Sequence, residues 1–240
     1  MQSGAIGSGP RAGKSVLGSL ARSSVGAKWM MGITGALFVG WLLLHLAGNL
    51  QVFAGAEKLN GYAALLSGEP MLLWGQRLFL LVVVFLHVAA GLRLAYLNRQ
   101  ARQDRYQAGY RFRRAGLASR LMPYTGVVLL AFILFHLAHF TFGWVPPVDK
   151  ALMDGSGNPD VYTMMVSSFV LPGLVVIYVV GMALLALHLS HGLWSMVQTF
   201  GLNGERWTPF ALQAGKLLAV LIALAFAAMP LAILAGMVSN

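Results

Sequence analysis

The chain has 240 residues, of which 58% are hydrophobic and 10% are charged, with 17 Lys and Arg against 7 Asp and Glu. Soluble domains average ~25% charged residues, so this composition excludes a soluble enzyme, a disordered chain and a secreted disulfide scaffold. The sequence has no cysteine, which also excludes thiolate metal sites, Cys-ligated iron–sulfur clusters and covalently attached c-type haem.

Five apolar segments follow one another, each long enough to cross the ~30 Å hydrocarbon core of a bilayer. They predict an all-α integral membrane bundle with spans at about 28–50, 71–97, 121–143, 163–199 and 213–238. The fourth segment is longer than a bilayer requires and is expected to tilt, or to project its last turns into water. Residues 1–27, rich in Gly, Ser and basic residues, predict a flexible cytoplasmic tail and no cleaved signal peptide. Residues 28–240 are predicted to form one transmembrane domain.

The basic residues fall mostly on one side of these spans. With a cytoplasmic N-terminus, 14 of the 17 Lys and Arg lie inside, and only Lys58, Arg77 and Lys150 lie outside. Short cytoplasmic loops carry an excess of Lys and Arg, so the N-terminus is predicted inside and the C-terminus outside. The basic loop 99–120 is interpreted as a topology signal against anionic headgroups, or else as a docking face for a soluble partner. Nucleic acid is the weakest reading, because the membrane accounts for these charges.

All six histidines lie within predicted spans and are shared among four of them. A single one is explained by a hydrogen bond to a neighbouring helix, but ionisable groups inside a bilayer are costly and usually functional. Counted at 1.5 Å per residue, His45 and His136 lie at an outer level, and His87 and His188 at an inner level. Two imidazoles facing each other across a bundle can supply both axial positions of a haem iron. Two levels therefore predict two haems, whereas zinc or copper requires ligands at one level.

An internal repeat favours one histidine in the third span. Thr34-Gly35 stands 11 residues before His45, and Thr125-Gly126 stands 11 residues before His136. This repeat favours His136 over His139 as the third-span ligand.

A second repeat distinguishes the histidines of the fourth span. Gly91 follows His87 by four residues, and Gly192 follows His188 at the same offset, which favours His188 over His191. A glycine one turn from the ligand leaves room for a flat macrocycle, or simply lets two helices pack closely.

His139 and His191 each lie three residues beyond the favoured ligand, on the same helix face. They are interpreted as hydrogen-bond partners of a propionate or a quinone. They remain alternative ligands if the alignment of the histidines by the two repeats is wrong.

Several motifs together carry a family resemblance. They are Ser24-Val25-Gly26, Gly32-Ile33-Thr34-Gly35, His45-Leu46-Ala47-Gly48-Asn49-Leu50, Phe53-Ala54-Gly55, Asn60-Gly61-Tyr62, His87 with Gly91, and His188-Leu189-Ser190-His191-Gly192-Leu193-Trp194-Ser195 followed by Gln198-Thr199. On these motifs, from about residue 24 to residue 204, the chain resembles the cytochrome b membrane-anchor subunit of succinate:quinone oxidoreductases, in its single-chain, five-helix, di-haem form.

The resemblance implies a multi-pass subunit of the bacterial cytoplasmic (inner) membrane that anchors a flavoprotein and an iron–sulfur protein to the cytoplasmic face. Electrons would pass through two b haems to or from quinone, with His45 and His136 on the outer haem iron and His87 and His188 on the inner one. Bis-imidazole ligation leaves no open position on the iron, so such haems relay electrons. Reaction of succinate or fumarate would belong to the partner subunits.

Other polar residues are weaker candidates. The resemblance implies a reaction with menaquinone near the outer haem, for which Glu69 and Arg77 are the candidates, although Glu69 also fits an ordinary solvated loop carboxylate. Lys28 and Arg93 are candidates for haem propionates, with anchoring at the headgroups as the alternative.

One departure concerns the direction of turnover. Di-haem fumarate reductases of this family that move protons carry a glutamate two residues before the fourth ligand, where this chain has Ala186. The departure favours succinate oxidation.

Two other functions stay open. One is a b-type cytochrome of another quinone-linked complex, of the hydrogenase or formate dehydrogenase type, although its ligands are arranged differently among the helices. The other is a haem-free protein whose histidines line a proton path, which predicts acidic residues inside the spans. The spans as drawn contain no Asp or Glu. The oligomeric state of the complex and the role of the fifth span are left open by the sequence.

Overall fold

The computed structural model describes residues 23–100, 117–202 and 204–239, and this part of the chain is helical apart from its connections. Most of the predicted tail and of the basic loop 99–120 lies outside the described residues. The α-helices are α1 (Ser24–Asn49), α2 (Ala56–Gly68), α3 (Pro70–Gln100), α4 (Leu117–His136), α5 (Val161–Phe169), α6 (Pro172–Thr199) and α7 (Thr208–Leu234). A 3₁₀ turn, Leu50–Ala54, follows α1, and a π-helical turn, Leu137–Thr141, follows α4.

Five of these helices, α1, α3, α4, α6 and α7, are long and apolar enough to cross a membrane, as the sequence predicts. The predicted fourth segment, 163–199, differs from the structure because it forms two helices, of which the second begins at Pro172. Proline has no backbone N–H and its fixed φ suits the first turn of a helix. The membrane-spanning α6 therefore starts at Pro172, and the preceding residues form the short, separate α5.

The four helices α1, α3, α4 and α6 form a square whose sides α1–α3, α4–α6 and α1–α6 are packed, while the side α3–α4 has few contacts. The helices at opposite corners, α1 with α4 and α3 with α6, have little backbone contact. We call the end where α1 begins the inner end, and the end covered by α2 and α5 the outer end. The space between opposite corners is the core in which side chains from all four helices meet.

The fifth long helix, α7, packs along the outside of α6 through a seam of small residues. Gly215, Ala219, Ala223 and Ala227 recur every four residues along one face, and the three alanines are buried. A Cβ added at Gly215 would lie 3.4 Å from Leu193 Cβ on α6. Without a hydrophobic driving force between helices in lipid, small residues stabilise helix pairs by allowing close packing of the backbones.

A buried amide ties α2 to the start of α5 at the outer end. Asn60 is only 2% exposed; its Nδ2 donates to Asp160 Oδ1 over 3.0 Å, and its Oδ1 accepts from the Tyr162 N–H over 2.9 Å. Asp160 also caps α5 by accepting from the Thr163 N–H. Burial raises the pKa of Asp160, but the hydrogen bonds from Thr163 and Asn60 outweigh it and hold this pKa below its ordinary value.

Asn60→Ala is expected to lower the free energy of unfolding by about 1–3 kcal/mol, since it leaves the buried Tyr162 N–H without its acceptor and removes one donor from the Asp160 carboxylate. For a chain of this size, each kcal/mol corresponds to a fall in Tm of about 2–4 °C, measured by thermal unfolding in detergent. Because the pKa of Asp160 is depressed, its contribution is complete at neutral pH and is lost as the pH falls through that value. Ser67→Ala, which removes an exposed hydroxyl from α2, is the control. An equal effect of both variants would contradict this account.

Candidate functional site: two histidine pairs in the bundle core

The outer pair joins the opposite helices α1 and α4. The ring centroids of His45 and His136 are 5.9 Å apart, with the two planes at 88°. Each ring packs on an aromatic side chain one turn earlier on its own helix: Trp41 stacks on His45 at 4.8 Å, and Phe132 on His136 at 6.3 Å. These aromatic neighbours restrict both imidazoles to the core.

The inner pair joins the other two opposite helices, α3 and α6. The ring centroids of His87 and His188 are 6.4 Å apart, with the planes at 57°. The structure thus brings together the same two pairs that the depth of each histidine in the sequence predicts. The four residues come from all four helices of the square, and each pair spans a diagonal.

The hydroxyl of Thr34 lies between a backbone carbonyl oxygen and His87. Thr34 Oγ1 lies 2.6 Å from the carbonyl oxygen of Met30 and 2.9 Å from His87 Nδ1. A hydroxyl has one proton to donate, and a carbonyl can only accept it. When this proton is donated to the Met30 carbonyl oxygen, the Thr34 oxygen accepts the Nδ1–H of His87, and Nε2 of His87 keeps a free lone pair.

Thr125 does the same for His188. Its Oγ1 lies 3.1 Å from the carbonyl oxygen of Met122 and 3.2 Å from His188 Nδ1. With the two hydroxyl protons on these carbonyl oxygens, both inner histidines donate from Nδ1 and keep a free lone pair at Nε2, the form that binds a metal ion through Nε2.

The Thr-Gly repeat therefore has a role that sequence reasoning missed. In the sequence, the repeat predicts the ligand on its own helix. In the structure, each Thr-Gly pair contacts the inner histidine of a neighbouring helix. A Cβ at Gly35 would lie 3.7 Å from His87 Cε1, and one at Gly126 would lie 3.5 Å from His188 Cε1. The matched spacing was the available signal, but the partner of each Thr-Gly pair is distant in sequence.

The second repeat, Gly91 and Gly192, lies against methionine. A Cβ at Gly91 would be 3.7 Å from the end of the Met31 side chain, and one at Gly192 would be 3.7 Å from Met122 Cε. Met31 and Met122 each precede a Thr-Gly pair by three residues, so the repeat extends to them. Methionine is flexible and adapts its shape to a neighbouring group.

Both pairs have the separation that a shared metal ion requires. With a metal–nitrogen bond of about 2 Å and a ring radius of about 1.1 Å, two imidazoles on opposite sides of one metal have centroids about 6 Å apart. The observed separations, 5.9 and 6.4 Å, match this value. No group of three or more His, Asp or Glu in the described ranges is placed to hold a metal ion. Two axial imidazoles without further ligands suit a metal that already sits in a macrocycle.

His139 is wholly buried and belongs to a third cluster, beside the outer pair. Its Nδ1 lies 2.9 Å from the hydroxyl of Tyr178 on α6, and the same hydroxyl lies 3.3 Å from His136 Nδ1. His139 Nε2 is buried and is the only such side-chain N or O atom in the described ranges without a hydrogen-bond partner. Sequence reasoning singled out His139 but missed Tyr178, which lies beyond a connection and on another helix. His191, by contrast, is half-buried on α6 one turn after His188.

The remaining predicted residues lie away from the buried core. Glu69 is an exposed residue at the C-terminus of α2, and Lys28 is exposed in the first turns of α1. The guanidinium of Arg77 lies 5.0 Å over the ring of Trp74 near the outer end. Burial, with a contribution from Arg77, lowers the pKa of Lys150 in the connection after α4. Arg93 is half-buried on α3.

The fold and the core together define a class: a multi-pass helical membrane protein with two facing pairs of histidines between its helices. The chain is similar to the succinate dehydrogenase cytochrome b558 subunit of Bacillus subtilis (strain 168), with 26% identity over 173 residues, or 71% of this chain and 77% of that protein. No family model and no solved structure matches the chain. With five candidate spans and this relative, the protein is a multi-pass protein of the bacterial inner membrane.

Proposed function

We propose that the chain is the membrane-anchor cytochrome b subunit of a succinate:quinone oxidoreductase and carries two b haems. The observation that supports this most directly is the arrangement of the four histidines. They come from four helices and form two pairs, each at the separation expected for two imidazoles that share one metal ion. The relative from Bacillus subtilis carries the name of such a subunit.

In this proposal His45 and His136 hold the outer haem, and His87 and His188 hold the inner one. When bound, the haems supply one-electron transfer without an open coordination position. The residues of this chain orient the imidazoles: Thr34 and Thr125 keep the inner Nε2 atoms unprotonated, and Trp41 and Phe132 restrict the outer rings.

The partners and the quinone complete the proposal. A flavoprotein and an iron–sulfur subunit would bind at the inner end and carry out the chemistry on succinate, and electrons would leave to menaquinone. Glu69 and Arg77 at the outer end remain the proposed quinone residues, and Lys28 and Arg93 the proposed propionate partners. Ala186 in place of a glutamate supports succinate oxidation as the direction of turnover.

The test is a pyridine haemochrome assay with a redox-titrated spectrum on the complex purified through a tag on this chain. The expected result is two b haems per chain, with a flavoprotein and an iron–sulfur protein in equal amounts. Two haems with hydrogenase or formate dehydrogenase partners would assign the chain to another quinone-linked complex. No haem would overturn the cytochrome assignment and favour the proton-path alternative.

Thr125→Val is expected to raise the midpoint potential of the inner haem and leave the outer one unchanged. The isosteric valine removes the acceptor for the His188 Nδ1–H, which lowers the basicity of the ligand and so favours the reduced iron. A tenfold change in that preference equals about 59 mV for one electron. Thr199→Val is the control, since the Thr199 hydroxyl donates to the Ser195 carbonyl oxygen on α6 and bonds no histidine among the described residues. A shift of the outer haem in Thr125→Val would contradict the assignment of His188.

A further inference from the structure

The two histidine pairs are held differently. At the inner level each imidazole has its own threonine, whose proton is already used on a backbone carbonyl oxygen. At the outer level a single hydroxyl, that of Tyr178, lies within hydrogen-bonding distance of two Nδ1 atoms, those of His136 and His139. Within the described part of the chain this hydroxyl has no backbone acceptor, so its one proton goes to one of the two rings.

Counting protons leaves two arrangements for neutral rings. The Tyr178 hydroxyl donates to one Nδ1 and accepts a proton from the other. In the first arrangement His136 donates from Nδ1, and Tyr178 donates to His139, which then carries its own proton on Nε2. In the second the direction is reversed, and His136 carries its proton on Nε2, where it cannot bind a metal ion.

The position of His45 favours the first arrangement. His136 faces the ring of His45 at 5.9 Å, whereas the ring contacts of His139 are with Phe135, Phe140 and Tyr178. Only His136 has an opposite imidazole with which to share a metal ion. His139 Nε2 is the buried atom without a partner, so the chain of hydrogen bonds ends there.

We propose that Tyr178 is the positioning residue of the outer histidine pair. His139 accepts the hydrogen bond that the Tyr178 hydroxyl donates. This inference rests on the proposed function. Tyr178 accepts the Nδ1–H of His136 and donates to Nδ1 of His139, so that His136 presents an unprotonated Nε2 to the outer haem iron. His139 is therefore not a ligand but the end of the hydrogen-bonded chain.

The local backbone supports this assignment. His136 and His139 lie on either side of the junction between α4 and the π-helical turn, where the Phe142 N–H donates to the Leu137 carbonyl oxygen five residues back. Single π-helical turns are rare and are frequent at functional sites. The Tyr178 hydroxyl thus contacts one imidazole on each side of this junction. The Tyr178 ring itself is packed among Phe132, Phe135, Phe140 and Phe169.

Tyr178→Phe in the tagged complex tests the proposal. The variant keeps the ring and removes the hydroxyl, so His136 loses its acceptor. We expect the midpoint potential of the outer haem to rise and its low-spin EPR signal to shift, while the inner haem keeps both values. Tyr162→Phe is the matched control, because Tyr162 is also a buried tyrosine, and its hydroxyl donates to the Ser239 carbonyl oxygen and to no histidine of the described ranges.

His139 provides the second arm. His139→Gln, whose amide oxygen can accept from Tyr178, is expected to keep two haems and a nearly unchanged outer potential. His139→Phe, which offers no acceptor, is expected to shift the outer potential. Loss of the outer haem in His139→Gln would identify His139 as the ligand and overturn the proposal.

Other results are also decisive. An unchanged outer potential and EPR signal in Tyr178→Phe, with both haems present, would show that the hydroxyl only fills space and would overturn the inference alone. Equal shifts in Tyr178→Phe and Tyr162→Phe would do the same, since they would reflect general loosening at the outer end. Wild-type complex without haem would overturn the proposed function itself.

Discussion

His136→Ala is expected to remove the outer haem and leave the inner one, and His188→Ala is expected to do the reverse. Each substitution removes one of the two histidines proposed to hold a haem iron, and the other pair lies on a different diagonal of the bundle. The measurement is the haem content per chain with the redox-titrated spectrum, in which each variant should keep one b haem of wild-type potential.

His191→Ala is the control for His188→Ala, because His191 lies one turn further along α6 and is half-buried. It should keep both haems. Loss of a haem in His191→Ala, with both retained in His188→Ala, would move the inner ligand to His191. Loss of both haems in every variant would show that the levels are not independent.

Gly181→Val is expected to remove the outer haem and lower the free energy of unfolding by about 1–3 kcal/mol, the usual cost of overpacking. A Cβ at Gly181 would lie 2.7 Å from Phe132 Cε2 and 2.8 Å from Phe132 Cδ2. Phe132 has little freedom to move, since it also packs against Tyr178 and His136. The displaced ring would shift His136 away from His45. Haem content and thermal unfolding of the purified complex measure the two effects.

Gly173→Val is the matched control, because it lies on the same helix and a Cβ there would meet no atom within 4 Å. It should retain both haems and the wild-type Tm. If Gly181→Val also behaved like wild type, Phe132 would not be the residue that orients His136.

The five spans and the two histidine couples follow from local properties of the sequence. Length and hydropathy determine the spans, and the distance of His45 or His87 from the inner surface determines its level. These quantities depend on the chain near each residue and on the thickness of a bilayer. The ligand roles of these histidines remain predictions that the haem measurements test.

The contacts that orient the imidazole rings could not be predicted, because they depend on how each helix is rotated about its own axis. Thr34 touches His87, which lies 53 residues away, and Tyr178 touches His136 from another helix. The π-helical turn after α4 contains His139 and has no Gly or Pro within it to signal it. The break before Pro172 had a local signal, but in a membrane segment proline is also tolerated within a helix.

The diagonal arrangement has a consequence for biogenesis. Opposite helices have little backbone contact. Each proposed haem would therefore link two helices that otherwise contact each other little. A ligand that binds only the assembled state stabilises that state by mass action. We therefore expect the helices to be inserted and gathered first, with α6 and α7 associating early through their small-residue seam. Haem insertion would then stabilise the assembled four-helix arrangement. Haem supply would determine how much of the subunit escapes proteolysis.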